Sequence, residues 1–153
     1  MRLTLLTLLM LMASTIGLAQ VVEKDGVYFD AKGNHFTGYH KEYHADGTLK
    51  VEMSIQNGLL HGITQLYFAN GQINEIRSFT KGKTDGKWET FNEHGVKVAE
   101  ANFETGQKHG KWYVWDENGT LRYDMTYAHG ERSGIWIIYN EAGEVLSEKE
   151  YDK

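Results

Sequence analysis

His109-Gly110-Lys111-Trp112-Tyr113-Val114-Trp115-Asp116-Glu117-Asn118-Gly119-Thr120-Leu121-Arg122-Tyr123-Asp124-Met125-Thr126-Tyr127-Ala128-His129-Gly130-Glu131-Arg132 is one 24-residue period of the chain, and its reading decides the fold. The run from Lys111 to Trp115 is aromatic and β-branched, as a strand prefers. It stops at Glu117-Asn118-Gly119, where glycine supplies the positive φ of a tight hairpin or of a type I turn closed by a glycine bulge. The next run alternates, with Leu121, Tyr123, Met125 and Tyr127 on one side and Thr120, Arg122, Asp124 and Thr126 on the other. Period-two alternation marks a strand with one face buried and one wet. A second glycine turn, at Gly130, leads onward.

The same pattern recurs along the chain. Gly38, Gly62, Gly86, Gly110 and Gly134 form one series with a step of 24, and Gly47, Gly71, Gly95, Gly119 and Gly143 form a second. Gly58, Gly82, Gly106 and Gly130 form a third. Three glycines per period exclude a helical repeat, because each would cost roughly 1 kcal/mol relative to alanine inside a helix. The sequence therefore predicts an all-β array of five 24-residue hairpins over residues 38–153, an elongated antiparallel meander of roughly ten strands. The aromatics Tyr43, Tyr67, Phe91, Trp115 and Tyr139 keep the step and are expected to stack and fill the core. A second series, Ile55, Phe79, Phe103, Tyr127 and Tyr151, is expected to help. Residues 20–37 read as an N-terminal segment with a truncated capping repeat, since Tyr28-Phe29-Asp30-Ala31-Lys32-Gly33 echoes the hairpin turn. At the other end, the charges from Glu148 to Lys153 guard a last edge strand.

The first nineteen residues read as an export signal. Arg2 is a minimal positive region, Leu3 to Met12 is apolar, and Gly17-Leu18-Ala19 offers small residues for cleavage before Gln20. That apolar run is well short of the ~20 residues that span a bilayer. Localisation is accordingly expected to be periplasmic or extracellular. With no cysteine in the chain, neither a disulfide framework nor a lipidated cysteine is available. The net charge of −5, one unit more negative without Arg2, argues against nucleic acid as a partner.

Gly-x-Trp-x-x-Tyr followed by Gly-x-Leu and a further aromatic before Gly resembles the MORN (membrane occupation and recognition nexus) repeat, in the bacterial variant form labelled antitoxin-like. His61-Gly62 to Gly71, Asp85-Gly86-Lys87-Trp88 to Gly95 and His109-Gly110-Lys111-Trp112 to Gly119 carry the resemblance, which covers about residues 26–153. It implies protein interaction, membrane association or neutralisation of a partner toxin, roles that share no reactive residues.

No chemistry converges in the sequence. His40 and His44 would lie ~13 Å apart along a strand, and His61 and His109 ~19 Å apart across the stack. Neither pair can share a zinc ion, so these histidines are expected to flank turns and bond backbone groups, with no metal bound. Gly82-Lys83-Thr84 imitates the end of a phosphate loop, but Arg77 stands where the earlier glycine is required and no helix follows. Ser133 is one residue out of register for a nucleophile elbow. Glu93, Asp116, Glu117 and Glu141 border turns. Asn118-Gly119-Thr120 matches a glycosylation sequon but is itself a turn. A repeat array spreads like groups along a line, where catalysis needs unlike groups at one point. The expectation is a non-enzyme without cofactor or small-molecule substrate.

Trp88, Trp112 and Trp136 are the candidate binding residues. Each lies two residues after a first-series glycine and three before its partner aromatic (Phe91, Trp115 or Tyr139), a spacing that places the two on opposite faces of an ideal strand. Either a bulge returns both to one core, or the sheet bears aromatics on both sides and the tryptophans form a ladder with a step of ~10 Å. Such a ladder could hold another protein, a lipid or a glycan. The sequence reading is an exported interaction scaffold, with a protein as its first-choice partner.

Overall fold

The computed structural model describes residues 21–151. The signal segment and its cleavage point lie outside the described residues. All regular structure described is β: β1 (Val22–Lys24), β2 (Val27–Phe29), β3 (Gly38–Tyr43), β4 (Leu49–Gln56), β5 (Leu59–Tyr67), β6 (Ile73–Thr80) and β7 (Lys83–Phe91). There follow β8 (Lys97–Glu104), β9 (Gln107–Lys108), β10 (Gly110–Trp115), β11 (Leu121–Ala128), β12 (Glu131–Arg132), β13 (Gly134–Tyr139) and β14 (Val145–Tyr151). From β3 to β14 the strands form one antiparallel meander, with the two-residue strands β9 and β12 paired to β8 and β11 off the main path. The hairpin array expected from the glycine lattice is the fold.

Two turns alternate, and each explains one glycine series. Within a repeat, Asp116 N donates to Thr120 O at 2.9 Å and Gly119 N to Asp116 O at 3.0 Å. The Asp116 carboxylate adds bonds from Asn118 N and Thr120 N, both 3.0 Å, so the aspartate closes its own turn. Between repeats, both central residues have positive φ, as at Asn57 (51°) and Gly58 (79°). That is the type I′ hairpin, whose twist matches the flanking strands. The glycine at the second central position of each such turn also ties neighbouring repeats, as when Gly106 N donates to Thr84 O at 2.7 Å.

Every repeat carries an extra residue opposite its second aromatic. Val114 pairs with Tyr123 and Trp115 with Leu121, so Arg122 is bulged out. Lys50, Asn74, Val98 and Leu146 are its counterparts. The bulge sits on the second strand of the hairpin and leaves the first strand regularly pleated. Trp112 and Trp115 therefore stay on opposite faces.

The core is small and lies at one end. Val51, Met53 and Ile55 on β4 are buried, as their alternation predicts, under Tyr28, Phe36, Leu60 and Leu66. The N-terminal hairpin of β1 and β2 supplies part of this cover. Tyr28 N donates to Gly58 O and Gly58 N to Phe36 O, each at 2.8 Å. A Cβ on Gly58 would stand 2.9 Å from Val27 Cγ1 and 3.1 Å from Tyr28 O, so this turn requires glycine for space as well as for its backbone angle.

One expectation is corrected. No residue of the series Tyr43, Tyr67, Phe91, Trp115 and Tyr139 is buried, and Tyr43 is exposed. They lie beside the bulges on the far face from the core, where Trp115 packs on Tyr113 with ring centres 5.6 Å apart. The residues that stack from repeat to repeat are the tryptophans and the second aromatic series.

Candidate functional site

Trp88, Phe103, Trp112, Tyr127, Trp136 and Tyr151 form an unbroken row across β7, β8, β10, β11, β13 and β14. Successive ring centres are 5.6, 5.2, 5.1, 5.1 and 5.0 Å apart, all in tilted geometry. The glycine lattice makes this possible. Phe103 pairs with Gly86, Tyr127 with Gly110 and Tyr151 with Gly134. A ring opposite glycine can lean along the strand onto the diagonal tryptophan, because no side chain occupies the place between them. The spacing Gly-x-Trp thus encodes the row directly. Its step is one strand, half of what the tryptophans alone would give, because Phe103 and Tyr127 fill the gaps.

The tryptophans are half-buried, intermediate between the two placements that the sequence left open. Their indole nitrogens are held. Trp112 donates to Asn102 O at 2.9 Å, Trp136 to Thr126 O at 2.8 Å and Trp88 to the Glu75 carboxylate at 3.1 Å. Cations lie over the rings: Arg77 at 4.1 Å from the centre of Trp88, Lys108 at 4.4 Å from Trp112 and Arg132 at 4.8 Å from Trp136. Lys149 stands 5.0 Å from Tyr151. Among the described residues, Lys108, Arg132 and Lys149 form no ion pair with a carboxylate.

Ring stacking and cations share one periodic origin. Phe36, Leu60, Thr84, Lys108 and Arg132 occupy the same slot of successive repeats. The first two cover the small core; the last two lie over aromatic rings. One face therefore changes along its length from a covered apolar patch to an open, positively fringed aromatic surface. Between Trp88 and Trp112, the small side chains of Ala99 and Ala101 leave a depression of about 250 Å³ that Phe103 and Val114 also line. A second, of about 330 Å³, lies among Tyr123, Met125, Trp136 and Ile138.

The opposite face is charged and paired across strands. Lys97 bonds Glu89 at 2.6 Å and Glu100 at 2.9 Å, Lys87 reaches Glu100 at 3.2 Å, and Lys111 reaches Asp124 at 2.7 Å. Burial alone would raise the Glu100 carboxyl, but hydrogen bonds from Lys97 and Lys87 outweigh it and hold the group below its ordinary value. Bonds to Glu89 and Glu100 push the Lys97 ammonium up.

His44, His61 and His109 flank turns and bond backbone groups as expected, whereas His40 lies mid-strand in β3 opposite Met53, with its Nε2 4.0 Å from the Glu42 carboxylate. Thr37, His61, Asp85 and His109 share a slot, and each side chain accepts a bond from the amide that opens the next type I′ turn, at 2.9, 3.4, 3.2 and 3.5 Å. The metal-free expectation rested on the pairs His40/His44 and His61/His109. It overlooked His109 with His129, whose rings stand 4.9 Å apart because the turn folds residue 129 back across the strand pair. Only the register of the I′ turn could have revealed that pair in the sequence.

A protein-family profile described as MORN repeat variant matches residues 36–57, 60–81, 108–129 and 132–153. Residues 84–105, between the second and third of these, keep the same 24-residue step, with β7 and β8 joined by the same turn at Asn92–Val96. No curated protein matches the chain.

Proposed function

Because the chain belongs to the MORN repeat variant family, whose repeats commonly serve protein or lipid interaction, we propose that it is an exported, non-catalytic scaffold that holds another protein against its aromatic row. The observation that carries this reading is the open face itself. Six stacked rings, partly exposed and with the three indoles pinned by hydrogen bonds, are a preorganised surface that loses little conformational entropy on binding. Lys108, Arg132 and Lys149 along that surface favour a partner segment that alternates apolar and acidic side chains, by charge complementarity. The chain as a whole is acidic, so this basic fringe is local to the face.

The test is retention of a partner from the envelope or secreted fraction by the chain lacking residues 1–19. A stoichiometric protein should be held by the wild type and lost with Lys108→Glu combined with Arg132→Glu, while the circular dichroism spectrum stays that of the wild type. Equal retention by the double variant would remove the aromatic face from the argument. Neutralisation of a toxin would be the same act with a toxin as the held protein, read as rescue of growth on co-expression. A second reading, an anionic lipid or glycan as the ligand, draws on the cations lying over the rings. Sedimentation with anionic vesicles, abolished by the same double variant, would favour it over a protein partner.

A further inference from the structure

At the turn end of the sheet, Glu104 closes β8, His109 precedes β10 and His129 opens the turn after β11. Their ligand atoms all lie within 4.8 Å of one another. Glu104 Oε2 is 3.5 Å from His109 Nδ1 and 3.6 Å from His129 Nδ1. Those separations are too long for good hydrogen bonds. They are close to the ~3.4 Å between donors on a tetrahedral ion with bonds of 2.0–2.1 Å. From this geometry we infer that Glu104, His109 and His129 form a binding site for a divalent transition-metal ion.

Two imidazoles and one carboxylate are the donor set that zinc accepts, with a fourth position left for water. Imidazole donors also select against calcium and magnesium, which take oxygen. The side chains are 55%, 40% and 73% exposed for Glu104, His109 and His129, so an ion enters from solvent and water completes its shell. His129 is held over the site by its backbone, with φ of 50°, in a conformation that histidine adopts more readily than most residues. Among the described residues, one hydrogen bond competes. His109 Nδ1 accepts the His129 amide at 3.5 Å, the longest bond of its slot, and a metal would take that lone pair. Bound there, the ion would link the turn after β8 to the turn after β11 and so tie the third repeat to the fourth.

The other repeats supply the controls. The slots of His109 and His129 hold Thr37 and Asn57 at the first such turn, which is built without the donors: Thr37 Oγ1 accepts Asn57 N at 2.9 Å, and Asn57 has φ of 51°. The slot of Glu104 holds Gln56 at the end of β4. The variant Glu104→Gln/His109→Thr/His129→Asn therefore keeps the turn and removes the ligands. Isothermal titration of the wild type with Zn²⁺ alone should show one ion per chain, reversed by chelator, together with a rise in the unfolding midpoint. The triple variant should lose both. His129→Asn alone should weaken binding by more than ~10-fold, the lower end of the loss seen when even an outer-shell partner is removed. Absence of saturable Zn²⁺ binding by the wild type, or equal affinity in the folded triple variant, would overturn the assignment.

Discussion

Trp112 donates its indole hydrogen to the backbone carbonyl of Asn102 at 2.9 Å, while the Asn102 side-chain amide donates to Lys111 O at 2.6 Å. One asparagine thus clips the tryptophan and the start of its strand to the preceding repeat. In a solenoid each repeat contacts only its neighbours, so stability is carried by such interfaces. The aromatic row is both the offered surface and the seam between repeats. That double use explains why the tryptophans are half-buried.

Substitution at Trp112 should separate these two contributions. Trp112→Phe keeps a ring between Phe103 and Tyr127 but loses the bond to Asn102, and should cost about 1 kcal/mol. Trp112→Ala also loses the packing with both neighbouring rings. It should cost more than Trp112→Phe but fall below the roughly 3–5 kcal/mol of a fully buried aromatic, near 2 kcal/mol. Urea unfolding of the two variants measures the difference, and equal destabilisation would show that stacking contributes nothing.

Thr64 occupies the slot that holds tryptophan in the later repeats, paired with Met53 beside the small core. It is 6% exposed, and its hydroxyl has no hydrogen-bond partner. A buried, unpaired hydroxyl costs roughly 1–3 kcal/mol against an apolar group of the same shape. Thr64→Val should accordingly stabilise the protein by about 1 kcal/mol, seen as a higher urea midpoint with unchanged slope. A lower midpoint would mean that the hydroxyl makes a bond of value.

The hairpins, their turns and the Gly-x-Trp spacing were legible because each rests on local chemistry: glycine at positive φ, alternation along one strand, a fixed step of 24. What escaped was every feature that depends on register between strands. That the bulge falls at Arg122 on β11 and not within β10 leaves no mark in a single strand, yet for that reason the regular pleat of β10 keeps Trp115 on the face away from Trp112. The pairing of Phe103 with Gly86 fills the gaps of the tryptophan ladder, and the fold-back of His129 onto His109 needs the I′ turn to be placed residue by residue. Repeat periodicity identifies rows of equivalent residues; contacts between unlike rows follow only from the ladder.

Thr105 has φ of 50° in the turn Thr105-Gly106. A β-branched residue is an outlier there, whereas Asn-Gly is the preferred pair for a type I′ turn. The first repeat already uses Asn57-Gly58. Thr105→Asn should stabilise by about 1 kcal/mol, from the ~1–2 kcal/mol that the left-handed conformation costs most L-residues. Thermal unfolding should show a higher midpoint, and a Thr105→Val variant, which cannot bond locally, should show a lower one.

The lysine bridge on the charged face predicts a stability plateau bounded on both sides. Glu100, with its folded value below the ordinary 4.5, contributes fully above that pH and loses its contribution as pH falls through the lowered value. Lys97, raised above 10.5, contributes fully below that pH and loses it as pH rises through the elevated value. Between these limits both groups are charged and paired. Glu100 is 15% exposed and Lys97 35%, so solvent screens the bridge in part, and Glu100→Gln should cost about 1 kcal/mol at neutral pH, the upper end for accessible pairs. The variant should also lose stability less steeply on acidification below about pH 4.5, because a group that cannot titrate takes up no proton on unfolding. Urea midpoints measured from pH 3 to pH 7 on both proteins decide the matter: parallel curves would show that Glu100 has the same proton affinity folded and unfolded, and the bridge would then hold no net energy.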